Sequence, residues 1–249
     1  MHWFDTHCHL DVEPLSEALP EVLARAHAAG VQQILVPAIH GPTRLAEPID
    51  GVRTAWGVHP GVAHQYQIED LERLWHESAA PTSVAAIGEI GLDTMAESTP
   101  EQQEPQFIWQ LQRAERHGLP VLVHLRGKWD HALRLLRQHA PDVPWIMHNF
   151  CGSWEIAHLY LRAGAFLSFS GSLCRPGARK TPEVARRIPS ERILVETDAP
   201  DLPPPAWTKT TNEPAALPLI ARFLAELRGE PIEALKETIW ENSRRFFPL

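Results

Sequence analysis

A (β/α)8 barrel is the fold class this chain predicts, and three observations predict it. Eight short apolar runs are spread along 249 residues. Helix-like stretches fill most of the intervals between them. No Gly-x-Gly-x-x-Gly follows the first run, so a doubly wound open sheet lacks its usual fingerprint.

The apolar runs lie at about 2–6, 33–37, 53–58, 84–88, 120–124, 144–148, 165–169 and 192–196. Ile34-Leu35-Val36 and Pro120-Val121-Leu122-Val123 show their character. Unbroken apolar stretches of this length suit parallel strands covered on both faces. Apolar residues at three- and four-residue spacing predict helices over 15–29 and 106–117, the latter with Phe107, Leu111 and Ala114 on one face. Gly30, Gly118 and Gly164 follow such stretches and suit left-handed C-terminal caps. The proline cluster at 200–205 fits an ordered loop between a strand and a helix over 214–228. The segment 231–247 predicts a last helix whose Trp240, Phe246 and Phe247 close the core. One domain over 1–249 is the expected organisation.

Composition sets wide limits. Hydrophobic residues at 44% and charged residues at 22% describe an ordinary globular protein. No apolar run is long enough to span a bilayer and the N-terminus lacks a signal region, so a cytoplasmic location without membrane contact is expected. Cys8, Cys151 and Cys174 are scattered and make neither a disulfide framework nor a cysteine-based zinc site. A net charge of −8 argues against non-specific adhesion to nucleic acid, though metal ions and local arginines can reverse the sign inside a cleft. No exposed apolar stripe marks an oligomer interface, which leaves a monomer as the expected state.

The chemistry is carried by residues at strand ends. His7 and His9 follow the first strand at a spacing that puts both imidazoles on one face, with Cys8 turned away into packing. Glu89 follows the fourth strand, His124 ends the fifth, His148 ends the sixth and Asp198 follows the eighth. A TIM barrel gathers these ends on one rim. Four imidazoles and two carboxylates exceed the needs of one tetrahedral catalytic metal, so two divalent ions are expected, with Glu89 as the bridge. Zn²⁺, Mn²⁺, Co²⁺ and Mg²⁺ all suit mixed nitrogen and oxygen ligation. Such a pair supplies hydroxide near neutral pH, and Asp198 is placed to handle the proton. His59, after the third strand, reads as a residue facing substrate or supporting a ligand. Arg126 reads equally as a phosphate clamp or as the partner of a carboxylate such as Asp93 or Glu89. Arg175, Arg179 and Lys180, after the seventh strand, read as solvated surface.

With these residues in place, the chain resembles the TatD family of metal-dependent hydrolases almost end to end. The likeness is carried by Phe4-Asp5-Thr6-His7-Cys8-His9, Gly57-Val58-His59-Pro60, Gly88-Glu89-Ile90-Gly91-Leu92-Asp93 and Pro120-Val121-Leu122-Val123-His124. It continues in His148-Asn149-Phe150-Cys151-Gly152, Glu196-Thr197-Asp198-Ala199-Pro200 and Asn212-Glu213-Pro214. The resemblance implies a TIM barrel and metal ligation by His7, His9, Glu89, His124, His148 and Asp198. It also implies hydrolysis of phosphodiester bonds, in the manner of a 3′–5′ exodeoxyribonuclease, with DNA or another phosphodiester in the cleft. Hydrolysis of a C–N, lactone or ester bond by an amidohydrolase-type enzyme is the alternative, since one scaffold hosts several chemistries. A barrel whose metal serves folding or partner binding is a third.

Three positions depart from the family pattern. Thr94-Met95 stand where many relatives carry an aromatic residue, which removes one surface for stacking a base. Trp207-Thr208-Lys209-Thr210-Thr211 replaces an Arg-Gly-Lys approach to Asn212, leaving one cation and an indole. Cys151 stands where serine is usual.

Overall fold

The computed structural model describes residues 2–45, 47–78 and 84–247. Its strands are β1 (Trp3–Asp5), β2 (Val31–Val36), β3 (His40–Pro42), β4 (Val52–Val58), β5 (Ala86–Asp93), β6 (Val121–Arg126), β7 (Trp145–Met147), β8 (Phe166–Phe169) and β9 (Ile193–Val195). Eight of them follow one another around the sheet as β1-β2-β4-β5-β6-β7-β8-β9, each paired parallel with the next. The apolar runs foresee every one of these eight.

The ring closes through the ends of its first and last strands. The Thr6 N–H and Oγ1 both donate to the Val195 carbonyl, at 3.3 and 3.0 Å. Asp5 accepts from the Thr197 N–H at 2.9 Å and from Thr197 Oγ1 at 2.5 Å. Residues 192 apart in sequence are thus clipped together by one buried carboxylate.

The helices are α1 (Leu19–Ala28), α2 (Ile68–Glu77), α3 (Pro100–His117), α4 (Trp129–His139), α5 (Trp154–Arg162), α6 (Lys180–Arg187), α7 (Leu217–Arg228) and α8 (Ile232–Phe246). Gly30, Gly118 and Gly164 take positive φ just past α1, α3 and α5, as their positions predict. Helix α3 begins earlier than the apolar spacing indicates. Its first turn is set by Thr99, whose backbone N–H is capped by Gln102 Oε1 at 2.8 Å, and by Pro100 at the first helical position.

Two strand expectations need correcting. The connection between β2 and β4 contains no helix among its described residues. It carries β3, which pairs antiparallel with β4, and Pro37, Pro42 and Pro48 suppress helix in that stretch. The fourth barrel strand runs Ala86–Asp93 instead of 84–88, so Glu89 lies within it, and β6 continues past His124 to Arg126. Both strands extend because Gly91, Leu92 and Asp93 pair with His124, Leu125 and Arg126.

Apolar packing divides into two shells. The outer shell, between sheet and helices, takes Trp56, Trp75, Phe107, Leu136, Tyr160 and Leu224, and Cys8 with them. The inner shell takes one residue from each barrel strand: Phe4, Leu35, Ala55, Ala86, Leu122, Ile146, Phe166 and Leu194. Phe246 and Phe247 plug it from below, with Phe247 at 5.3 Å from Phe4 and Phe246 at 5.3 Å from Phe166 between ring centroids. Trp240 packs at its edge, so all three aromatics of the last helix serve closure as expected.

Candidate metal centre

Opposite that plug, the C-terminal strand ends carry the polar residues. His7 and His9 leave β1 on one side, their ring centroids 5.0 Å apart, while Cys8 points into the outer shell. Glu89 is delivered by a break in the β5 register between Ile87 and Ile90. Only glycine fits beside it: a Cβ on Gly88 would sit 2.4 Å from Leu122 Cβ, and one on Gly91 1.8 Å from the His124 carbonyl oxygen. The Gly-Glu-Ile-Gly block is therefore the steric condition for pushing this carboxylate into the barrel mouth.

The two oxygens of Glu89 face two groups of side chains. Oε2 lies 3.2 Å from His7 Nε2 and 3.7 Å from His9 Nε2. Asp198 Oδ1 completes that side, 3.7 and 3.9 Å from the same two nitrogens. Oε1 lies 2.6 Å from His124 Nδ1, 2.8 Å from His148 Nε2 and 3.5 Å from His59 Nε2. All six residues read as ligands from the sequence are thus brought together, and His59 joins them.

His59 differs from the others in its proton. The Gly61 N–H donates to His59 Nδ1 at 2.9 Å, so in the neutral ring Nε2 carries the hydrogen and faces the site as a donor. Its neighbours present the opposite chemistry. His7 is fully buried with neither ring nitrogen hydrogen-bonded, and His9 Nδ1 and Glu196 Oε2 are buried without partners. Unpaired polar atoms clustered at this density are the pattern a cation satisfies. His7, His9 and Glu89 offer donor atoms close enough to share one ion, and Glu89 with His124 and His59 forms a second such group.

Electrostatics agree with a cation site. Burial first, and then the neighbouring His7, pushes His9 down to about 3, leaving a neutral imidazole free to ligate. Burial works against ionisation of Glu89, but His148, His59, His7 and the His124 hydrogen bond together hold its carboxyl well below the usual range. Burial raises Asp198, only partly opposed by His148 and His7, so this carboxylate keeps a high proton affinity. Burial also disfavours charge on His124 and His148, yet the surrounding carboxylates raise both. Protons held in this way are those a divalent ion displaces.

The imidazoles are held from behind. His124 Nε2 meets Asp93 Oδ2 at 3.1 Å, and His148 Nδ1 lies 3.3 Å from Glu196 Oε1. Carboxylates behind ligating histidines fix ring orientation. Asp93 is itself fixed by Gln103, which accepts from its N–H at 2.8 Å and donates to its carbonyl at 2.9 Å. Gln110 does the same for Val58, the residue before His59, at 2.7 and 3.2 Å. Asn212 donates to the carbonyls of Thr197 and Asp201 at 2.9 and 2.6 Å, framing Asp198. Sequence reasoning missed Glu196 and the glutamines. The i, i+2 spacing of Glu196 and Asp198 was the available signal for the first, and the buried glutamines gave none.

The comparisons bear on this geometry. The model of the TatD-related DNase family matches residues 4–248. This chain belongs to the TatD-related DNase family. YabD of Bacillus subtilis, described as an uncharacterized metal-dependent hydrolase, is 35% identical over 251 residues, covering 98% of each chain. The 3′-5′ ssDNA/RNA exonuclease TatD of Klebsiella pneumoniae is 35% identical over 257 residues, covering 98% of this chain and 97% of its own. The crystal structure of the TatD homologue YjjV of Escherichia coli superposes with a TM-score of 0.90 at 33% identity, covering 99% of this chain and 98% of that one. None of the described helices is long and apolar enough to cross a membrane.

In this TatD-family chain the centre opens into a cleft of about 640 Å³, lined on one side by Arg126 and on the other by Asn149, Cys151, Ser172 and Arg175. Arg126 Nη1 is 3.7 Å from Asp93 Oδ2 with 57% of the side chain exposed, a loose pair that leaves its fork of donors to the cleft. Lys209 is engaged elsewhere, 2.9 Å from Glu213, which also takes Arg25 at 2.6 Å. Trp207 Nε1 donates to the Thr211 carbonyl at 2.8 Å. Met95 stands 74% exposed where the family often carries an aromatic ring.

Proposed function

We propose that this chain is a divalent-metal-dependent phosphodiesterase acting on nucleic acid from a 3′ end, with two metal ions held in the centre. The observation that carries the reading is the split of Glu89, one carboxylate oxygen toward His7 and His9 and the other toward His124 and His148. That division suits two ions sharing a bridge. His7, His9 and Asp198 would hold one, His124 and His148 the other. Bound there, the ions would polarise the phosphoryl group and acidify an attacking water. Everything else falls to the chain. Asp198, raised by burial, accepts the proton released by the nucleophile. The Nε2–H of His59 donates to a phosphoryl oxygen, and Arg126 offers planar charge to the same group or its neighbour. The relatives named as ssDNA/RNA exonucleases support the choice of polynucleotide over other phosphodiesters.

The test is nucleotide release from single-stranded DNA and RNA oligonucleotides with free or blocked 3′ ends, with and without chelator. Metal-loaded protein is expected to shorten the free-ended strands, and chelation or Glu89→Gln to stop it. If the loaded protein leaves DNA, RNA and bis(p-nitrophenyl) phosphate intact, the proposal fails. Turnover of cyclic amides or esters in their place would move the centre to amidohydrolase chemistry.

A further inference from the structure

We infer that Asn149 is a substrate-binding residue whose side-chain NH2 donates to a non-bridging oxygen of the phosphoryl group, an inference that rests on the phosphodiesterase reading above. Asn149 follows His148 and lines the cleft with Asp198 and Arg175. Its backbone is pinned on both sides: its own N–H donates to Glu196 Oε1 at 2.6 Å, and the Phe150 N–H donates to the Ser168 carbonyl at 3.0 Å. Its φ of 42° is left-handed, a conformation asparagine accepts more readily than most residues.

The serines settle which way the amide faces. Ser170 Oγ lies 2.8 Å from Asn149 Oδ1 and Ser172 Oγ lies 2.7 Å from it, both donating to the amide oxygen. Ser170 is fully buried and its Oγ already accepts the Ser172 N–H at 3.2 Å. With the amide reversed, Nδ2 would take the place of Oδ1 against these hydroxyls. Ser170 could then place its hydrogen on Ser172 Oγ at 3.1 Å, but the Ser172 hydrogen would have no acceptor among the described residues. Only the orientation with Oδ1 toward the serines gives both hydroxyl hydrogens an acceptor among the described residues. It leaves the two N–H groups without a protein partner among the described residues, on a residue that borders the cleft.

Two preset donors of a neutral group, in the cleft that Arg175 also lines and on the residue after a ligand histidine, match the oxygens of a phosphoryl group. They carry no charge that would compete with a cation for Asp198 or Glu89. Donors fixed before the substrate arrives cost no reorganisation when charge builds on those oxygens. Asn149 therefore binds substrate, and Ser170 and Ser172 are positioning residues that act through it.

Three variants of the metal-loaded protein separate this role from a purely structural one. Asn149→Gly removes the amide and keeps the left-handed backbone; Asn149→Asp keeps the shape and the serine contacts but presents an anion. Ser172→Ala loosens the amide. Inorganic phosphate is titrated calorimetrically, beside metal content, Tm and kcat/KM on bis(p-nitrophenyl) phosphate. Asn149→Gly is expected to lower phosphate affinity and kcat/KM about ten- to a hundredfold. Asn149→Asp should be worse than Gly on both, although a structural role would make it the milder change. Ser172→Ala should lose about three- to tenfold, with metal content unchanged in all three. Equal or milder loss in Asn149→Asp than in Asn149→Gly, unaltered phosphate affinity, or a fall in bound metal would each overturn the inference. If wild type binds phosphate, the variants lose it in the stated order and none hydrolyses a phosphodiester, Asn149 stands as a phosphate donor and the phosphodiesterase reading falls.

Discussion

At the lower mouth of the barrel Phe4, Phe166, Phe246 and Phe247 meet ring against ring and shut out water. At the upper mouth, across one strand length, His7, Glu89 and His148 are almost as deeply buried, but there the His7 and His148 rings stack at 4.1 Å around a carboxylate. Depth alone therefore does not distinguish the two ends. The lower end satisfies itself by apolar contact, whereas the upper end keeps buried donors and acceptors that no described residue completes. The same eight strands supply both, because alternate residues along short strands can be apolar at one level and polar at the next.

The largest effect should come from removing the Glu89 carboxylate. Glu89→Gln is expected to lower phosphodiester kcat by about a thousandfold or more, with far-ultraviolet circular dichroism unchanged. Chelation should match it and also lower Tm, since ions bound at a thousand times their Kd stabilise by about 4 kcal/mol. A metal-loaded Glu89→Gln protein as active as wild type would dissolve the contrast between the two mouths.

Next comes the plug. Phe246→Ala should destabilise by about 3–5 kcal/mol in urea unfolding while leaving kcat/KM at 25 °C within about twofold. Loss of activity in the folded variant would show that the lower end shapes the upper one. Smaller is Asp93→Asn, which keeps size but weakens the hold on His124 Nε2. A drop of about ten- to a hundredfold in metal affinity is expected, read by chelator competition. Smallest is Arg126→Ala, a loose and half-exposed cation, for which KM should rise by less than about tenfold at constant kcat.

Much of this contrast was legible in the residues alone. Parallel strands covered on both faces must be continuous apolar runs, so all eight barrel strands could be located. His7, His9, His124, His148 and Asp198 drew notice because polar side chains recurred where those runs stopped. What stayed hidden follows from the same logic. β3 lies among prolines and pairs with no described strand but β4, and it carries no apolar pattern of its own. The extension of β5 to Asp93 depends on two glycines and a partner strand, and a glycine-rich strand resembles a loop in sequence. Glu196 works by contact with His148 and Asn149, far along the chain, and Gln103 by contact with Asp93 across the turn between β5 and α3.

The clip between Asp5 and Thr197 has a bearing on how the protein is made. His7 and His9 leave the ribosome long before the segment that bears Asp198, since the residues the clip joins are 192 apart in sequence. A nascent chain therefore lacks Asp198 until the step that zips the ring shut, even once His7, His9, Glu89, His124 and His148 have all been made. Assembly of the full ligand set is in that sense a property of the closed ring, withheld until its first and last strands have met.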